Sequence, residues 1–388
     1  MDRVEAAYLR ALITQKAPFW ALVRSKAGYL LLDRDGAAKL LTLGDKLPIH
    51  ADLLSRLTCR GDPLRARAET ALRRDAVARC LPFGLARMLR QRLPAGFNYL
   101  NTGHANLSDA CMNAVRAGGA AKIAVLLHDT IPLDYPEFTR PGIAAVFARK
   151  LGVIARHADL VIHSAQVTRI ANEEQLSRIA RPPQGIVAHL GVETPILAAG
   201  PARAHPYFVT LGTIEPRKNH ALLLDVWEKL HATQSPTDIP HLLILGARGW
   251  SNQTVFDRLD SLPFMGKTVF EYANLPDEQV ASLISGAQGL LFPSLVEGYG
   301  LPPLEAASLG TTVILPQLPI YQETMGDYPV YVRDFDSYSW VETILAVLEG
   351  RGTGAEAEIR AGRGKSVSKW ETIQPRWAAH FNIVLSIV

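Results

Sequence analysis

The residues best suited to chemistry fall in two short clusters. The first is Glu297-Gly-Tyr-Gly-Leu-Pro-Pro-Leu-Glu305, with a carboxylate at each end and glycines between them. The second is Arg217-Lys218, two adjacent cations inside Gly212-Thr-Ile-Glu-Pro-Arg-Lys-Asn219. Glycines let a ligand approach the backbone, and the N–H groups at a helix start favour anions. A carboxylate one turn into such a helix can accept hydrogen bonds from sugar hydroxyls. Two adjacent cations can neutralise a diphosphate and stabilise the charge on a departing nucleotide without reorganisation. Together these parts suit a nucleotide diphosphate with its ribose held nearby. Taken alone, the two glutamates also fit an acid/base pair, and the stretch also fits an ordinary strand-to-helix turn with a solvated carboxylate.

Both clusters need a strand before them and a helix after them. Gly289-Leu-Leu-Phe292 reads as the end of a buried strand, and Pro302-Pro303 suit the first turn of the following helix. Tyr207-Phe-Val-Thr-Leu-Gly212 is the strand expected before Arg217, with a helix over 222–230 after it. Further strands are expected at 241–246, 312–316 and 330–333, with a helix over 338–348. The amino-terminal half repeats the pattern. Phe97-Asn-Tyr-Leu-Asn leads to Thr102, Gly103 and His104, and Lys122-Ile-Ala-Val-Leu-Leu leads to His128 and Asp129. Ligands in open α/β sheets bind beyond the carboxyl ends of strands, so these polar residues stand where chemistry is expected. Strands alternating with helices predict an α/β protein with parallel sheets. The small, Pro-rich stretch 195–206 reads as a linker between two domains. The last helix is expected over about 370–388.

Composition bounds the partners. Over 388 residues the net charge is +4, which does not point to nucleic acid. Between Arg56 and Arg92, however, ten arginines face only Asp62, Glu69 and Asp75. That segment reads either as a solvated helical surface or as a dock for anionic lipid headgroups or a phosphorylated acceptor. Cys59, Cys80 and Cys111 form neither a CxxC pair nor a metal spacing. Asp33-Arg-Asp35 and Asp334-Phe-Asp336 have the Asp-x-Asp form but read as polar turns, so no metal site is expected. The opening residues lack the basic-then-apolar order of a signal peptide, and no apolar run approaches the ~18 residues of a membrane span. A cytoplasmic protein is expected, and the lipid-docking reading of the arginine segment would place it peripherally on the inner face of the cytoplasmic membrane.

The two clusters together resemble the retaining GT-B glycosyltransferases of family 4, whose Glu-x7-Glu motif is similar to Glu297–Glu305. The resemblance is strong over about residues 205–345, moderate over 122–193 and weak before 95. It implies two Rossmann-like domains facing a cleft: residues 1–197 for the acceptor and 205–369 for the sugar nucleotide, with helix 370–388 crossing back to the first. It also implies roles. Arg217 and Lys218 bind the donor diphosphate, and the backbone of Gly298, Tyr299, Gly300 and Leu301 meets the sugar or distal phosphate. Glu305 holds the ribose, Glu297 contacts the donor sugar, and His128 sits at the reacting centre. Gly103, His104 and Asp129 contribute from the opposite domain. No cofactor or metal is implied, and no residue stands out as a covalent nucleophile. Tyr299 occupies a position where Phe is common, and Thr324-Met-Gly-Asp327 replaces the commoner Val-Val-Gly-Asp. The segment around Arg217 is similar to that of bacterial polysaccharide mannosyltransferases, which favours GDP-mannose as donor and a saccharide or lipid-linked saccharide as acceptor. The rival readings are a sugar-nucleotide-binding regulator without turnover and a GT-B nucleotide-sugar epimerase.

Overall fold

A computed structural model describes residues 3–198, 203, 205–349 and 370–387. Three sheets organise these residues. A small antiparallel sheet holds β1 (Ala21–Arg24), β2 (Tyr29–Leu32) and β3 (Ala78–Cys80) in that order. A four-stranded parallel sheet follows, ordered β4 (Asn98–Asn101), β5 (Lys122–Leu127), β6 (Leu160–His163), β7 (Gln184–Val187). The third contains β8 (Tyr207–Leu211), β9 (His241–Leu245), β10 (Val269–Tyr272), β11 (Gly289–Leu291), β12 (Val313–Pro316) and β13 (Val330–Val332). Its spatial order is β10-β9-β8-β11-β12-β13, and every neighbouring pair is parallel.

The central strands are apolar without alternation because helices cover both faces of a parallel sheet. In β5, Ile123 through Leu127 are all buried, and in β9 Leu242 through Leu245 are all buried. One apolar core runs from Leu126 and Ile162 in the first parallel sheet through Leu190 and Tyr299 to Leu290 and Leu315 in the second.

Several expectations are refined. The Asp-x-Asp turns are helix caps. Asp33 Oδ1 accepts from the Gly36 amide at 2.9 Å, and Asp336 Oδ1 accepts from Tyr338 and Ser339 at 2.8 and 3.1 Å. Helices Gln253–Ser261 and Pro319–Met325 had no expectation attached to them. The terminal helix is not continuous. Residues 370–373 are helical, 374–376 are not, and a second helix runs Trp377–Leu385. Pro375 explains the break, since it cannot donate to the helix ladder. The part of the linker at 199–202 and 204 lies outside the described residues.

The carboxy-terminal segment passes from the third sheet to the second. Trp370 packs on Tyr328 with ring centres 5.1 Å apart. Val192 N–H then donates to the Pro375 carbonyl at 3.1 Å. His380 Nδ1 donates to the Ala188 carbonyl at 3.0 Å, and its Nε2 accepts from the Tyr8 hydroxyl at 2.6 Å. The first helix, Arg3–Thr14, is thereby tied to the carboxy-terminal segment. Among the described residues no helix is long and apolar enough to cross a membrane.

Candidate functional site

The third sheet reverses its direction of growth between β8 and β11, which are hydrogen-bonded neighbours. Such a reversal opens a crevice at the carboxyl ends of the strands, because the two connections leave on opposite faces. The loops that leave these two strands are the two sequence clusters. After β8, a 3-10 turn spans Pro216–Lys218, and Asn219 adopts φ +52°, which Asn tolerates better than most residues. Helix His220–Thr233 then begins. After β11, the chain reaches Leu295, whose N–H donates to the Arg217 carbonyl at 2.8 Å. Gly300 at φ +85° turns the loop into helix Leu301–Ser308, with both prolines in its first turn.

Glu297 ties the clusters together. Its Oε1 accepts from Lys218 Nζ at 2.5 Å and lies 2.9 Å from Arg217 Nη1. Arg217 Nε reaches Glu215 Oε1 at 2.6 Å, and Lys218 Nζ stands 4.2 Å from the centre of the Phe292 ring. Two cations and two carboxylates therefore share one buried place. Burial pushes the Glu297 carboxyl up, but Lys218 and Arg217 outweigh it and hold it below the usual range. Burial pulls Lys218 down, with Glu297 opposing. Burial also pulls Arg217 down, but Glu297 and Glu215 outweigh that and raise it.

The amino-terminal loops face this cluster. Asp129 lies against Gly298 so closely that a Cβ there would stand 2.3 Å from Asp129 Oδ2. Burial raises the Asp129 carboxyl, while the Ile131 amide, His128 and Arg217 oppose the rise. His128 Nε2 is fixed on the Thr102 carbonyl at 3.0 Å, and its ring centre is 5.6 Å from that of His104. His104 has φ +57° and reaches the Leu126 carbonyl through Nε2 at 2.7 Å. Gly103 abuts Glu5, whose carboxylate occupies the place a Cβ would take. The Tyr299 side chain points away from the cations, and its hydroxyl donates to the Leu190 carbonyl at 2.7 Å. Only its backbone belongs to the loop.

Glu305 stands apart from the Lys218 cluster. It lines a cavity of about 290 Å³ with Arg10, Glu193, Asp277 and Leu301, and its carboxylate is paired with Arg3. Arg3 also lies 3.6 Å from Asp277. Burial pushes Glu305 up, and Arg3 offsets part of that.

Several residues at the cleft had no signal in the sequence. Arg3 is one. Glu323 is another: it accepts from the Gln166 and Val167 amides at 2.6 and 2.8 Å and lies 2.8 Å from His189 Nε2. Trp250 joins the domains on another side, donating Nε1–H to the Phe138 carbonyl at 3.1 Å while Arg140 covers its ring at 4.5 Å. Glu215 sits within the Arg217 motif, and its acidity beside two cations was the available clue. Helix Ile143–His157 is covered along only part of its apolar side. Leu151 and Ile154 are buried, but Ile143 and Val146 remain exposed beside the cleft loop that carries Phe138.

Two α/β units meet with the carboxyl ends of β5 and β11 facing one cleft, which is the GT-B fold. Within it, residues 199–364 match the family model described as glycosyl transferases group 1. The chain is similar to the serotype-specific mannosyltransferase WbdA of Escherichia coli, 32% identical over 261 residues, covering 61% of this chain and 31% of that one. It is also similar to the O-antigen chain mannosyltransferase B of Escherichia coli, 31% identical over 170 residues and 42% of each chain. The chain thus spans about a third of the length of the WbdA relative. Among solved structures, Anabaena Alr3699/HepE in complex with UDP and glucose shares the fold at TM-score 0.59 and 15% identity, covering 78% of this chain and 80% of that one. The apo structure of OtsA shares it at TM-score 0.58 and 14% identity over 96% and 90%.

Proposed function

We propose that this chain is a retaining glycosyltransferase that moves a hexose, with mannose favoured, from a nucleotide-diphosphate sugar to a saccharide or lipid-linked saccharide. The favoured donor is GDP-mannose, and the setting is cell-surface polysaccharide or lipopolysaccharide assembly. The observation that carries this reading is the meeting of Lys218, Arg217 and Glu297 at the strand-order reversal, opposite His128 and Asp129. The likeness to bacterial mannosyltransferases supports the choice of sugar.

In this reading the incoming diphosphate takes the Lys218 and Arg217 charges that Glu297 holds in its absence. The amides of Gly298 through Leu301 meet the sugar or distal phosphate. Glu297, released from the cations, accepts a hydrogen bond from a donor-sugar hydroxyl. Glu305 exchanges Arg3 for the ribose hydroxyls. The C1–O bond to the phosphate breaks and the acceptor oxygen bonds to C1 on the same face. The departing phosphate takes the acceptor proton, so no side-chain nucleophile is needed. His128, held by the Thr102 carbonyl, lies on the opposing wall beside the reacting sugar. The amino-terminal unit receives the acceptor, and the protein works peripherally on the inner face of the cytoplasmic membrane. The two cations and the loop amides carry the diphosphate charge without a required metal.

A thermal-shift panel of GDP-, UDP-, dTDP- and ADP-sugars tests the donor, since a ligand stabilises the form that binds it. GDP-mannose should give the largest shift, and a larger shift with another base would overturn that choice. Acceptor-dependent release of GDP that survives chelation, with the α-anomer as product, is the expected activity. Conversion of the sugar nucleotide without acceptor would instead support an epimerase.

A further inference from the structure

The cavity at Glu305 is not the only one on the molecule. A second cavity, of about 560 Å³, opens beside β3 and helix Leu85–Arg92, far from Lys218 in the fold's connectivity. Its lining includes Arg73, Arg79, Arg87 and Arg92 and no acidic residue. The four arginines differ. Arg73 is almost fully buried and engaged internally, 3.2 Å from Asp52 and 3.7 Å from Glu69. Arg79, Arg87 and Arg92 are exposed, and among the described residues none has an ion pair or hydrogen bond from its side chain. Some surface arginines are neutralised by a carboxylate, as Arg116 is by Asp159 at 2.6 Å and Arg258 by Asp225 at 2.7 Å. Three unneutralised guanidinium groups around one concavity suit an anion with several oxygens, because each presents a fixed fork of donors.

Apolar side chains lie beside the cavity. Val77, 40% exposed, lines it, and Leu81 and Phe83, 54% and 88% exposed, lie on the segment between its lining residues Cys80 and Gly84. A free phosphate would use the arginines and leave these side chains in water. A phosphate carried on a hydrocarbon chain would use both, with the charge on the guanidinium groups and the chain over Phe83 and Leu81. We propose that this cavity binds the phosphate of a membrane amphiphile, docking residues 77–92 on the lipid surface. The inference rests on the peripheral-membrane part of the proposed function and deepens it by assigning the contact to one site and one headgroup chemistry.

The test uses the full chain and phosphatidylcholine vesicles doped with phosphatidic acid or, at equal surface charge, with phosphatidylglycerol. Phosphatidic acid vesicles should bind more tightly. The triple variant Arg79→Gln/Arg87→Gln/Arg92→Gln should lose about 100-fold in that binding, from about 1 kcal/mol per arginine at an anionic surface. Phe83→Ser should lose roughly tenfold through lost apolar burial. The exposed positions leave the fold intact, and an unchanged thermal shift with the sugar nucleotide checks this. Equal binding to both lipids, unaffected by the triple variant, would overturn the assigned site while leaving membrane association standing. Absence of binding to either lipid would overturn both. Binding of inorganic phosphate that needs the arginines, without vesicle binding, would overturn the amphiphile and assign a soluble phosphorylated ligand.

Discussion

Lys218 and Glu297 stand 79 positions apart and meet at 2.5 Å, because their loops leave the neighbouring strands β8 and β11. Neither residue is free to act alone. Glu297 holds the two cations in a buried place, and the cations keep Glu297 ionised there.

Breaking that pair from each side should give different results. Lys218→Ala should abolish the donor-dependent thermal shift and lower turnover by roughly 100-fold to 1000-fold, as for removal of a prepositioned charge stabiliser. Glu297→Gln should lower turnover by about 100-fold while leaving the cations free for donor, so the donor-dependent shift persists. Loss of the shift in both variants would contradict separate roles.

Glu305 and Arg3 form the second testable pair. Glu305→Ala should raise the donor KM about tenfold with kcat little changed, the pattern of lost uniform binding. Arg3→Gln should lower the donor KM by roughly twofold to fivefold, since the ribose no longer displaces the half-buried Arg3 ion pair. Equal donor affinity in wild type and Glu305→Ala would remove the ribose assignment. A raised KM in Arg3→Gln would make Arg3 a donor contact instead.

Gly298 measures how closely the two domains must approach. An alanine Cβ would stand 2.3 Å from Asp129 Oδ2 and 3.0 Å from Asp129 Cβ. Gly298→Ala should therefore lower kcat/KM by about 100-fold through misplacement of the facing loops. Its melting temperature should change little, because the loop lies at the cleft. Asp129→Ala in the same chain should relieve the carboxylate clash and restore part of the domain approach, read as increased protection of the cleft loops in hydrogen exchange.

Stability should fall in mild acid. Burial pushes His163, His220 and His380 down to about 4. In the unfolded chain each takes a proton near pH 6.5, whereas in the folded chain each stays neutral until about pH 4. Protons therefore favour the unfolded state between those values, and stability is lost as pH falls through that window. The loss reaches on the order of 3 kcal/mol per histidine. Melting temperature should be flat above neutrality and drop steeply toward pH 4.5, and His380→Gln should make the drop shallower. An unchanged slope would show that His380 does not contribute.

Legibility followed the length scale of the interaction. The strands β5, β8, β9 and β12 were readable because a parallel strand buried on both faces is a continuous apolar run. The Glu297–Glu305 turn was readable because glycines and prolines have local conformational meaning. The first ninety-five residues were less readable. Their antiparallel sheet pairs β2 with β3 across nearly fifty residues, and its strands are only three or four residues long. The break at Pro375 was visible in the sequence and outweighs the helical spacing of Trp370, Trp377 and Phe381.

By itself the sequence determined which residue types leave the carboxyl ends of the strands. Arg217, Lys218, Glu297, Gly298 and Glu305 were placed by local rules, as each turn is encoded within a few residues. Only the tertiary structure decided their partners. The strand order puts β8 beside β11, so Glu297 binds Lys218 and not Glu305. The return of the terminal segment fixes the first helix and brings Arg3 to Glu305. Those contacts join positions far apart in the chain, and no local spacing encodes them.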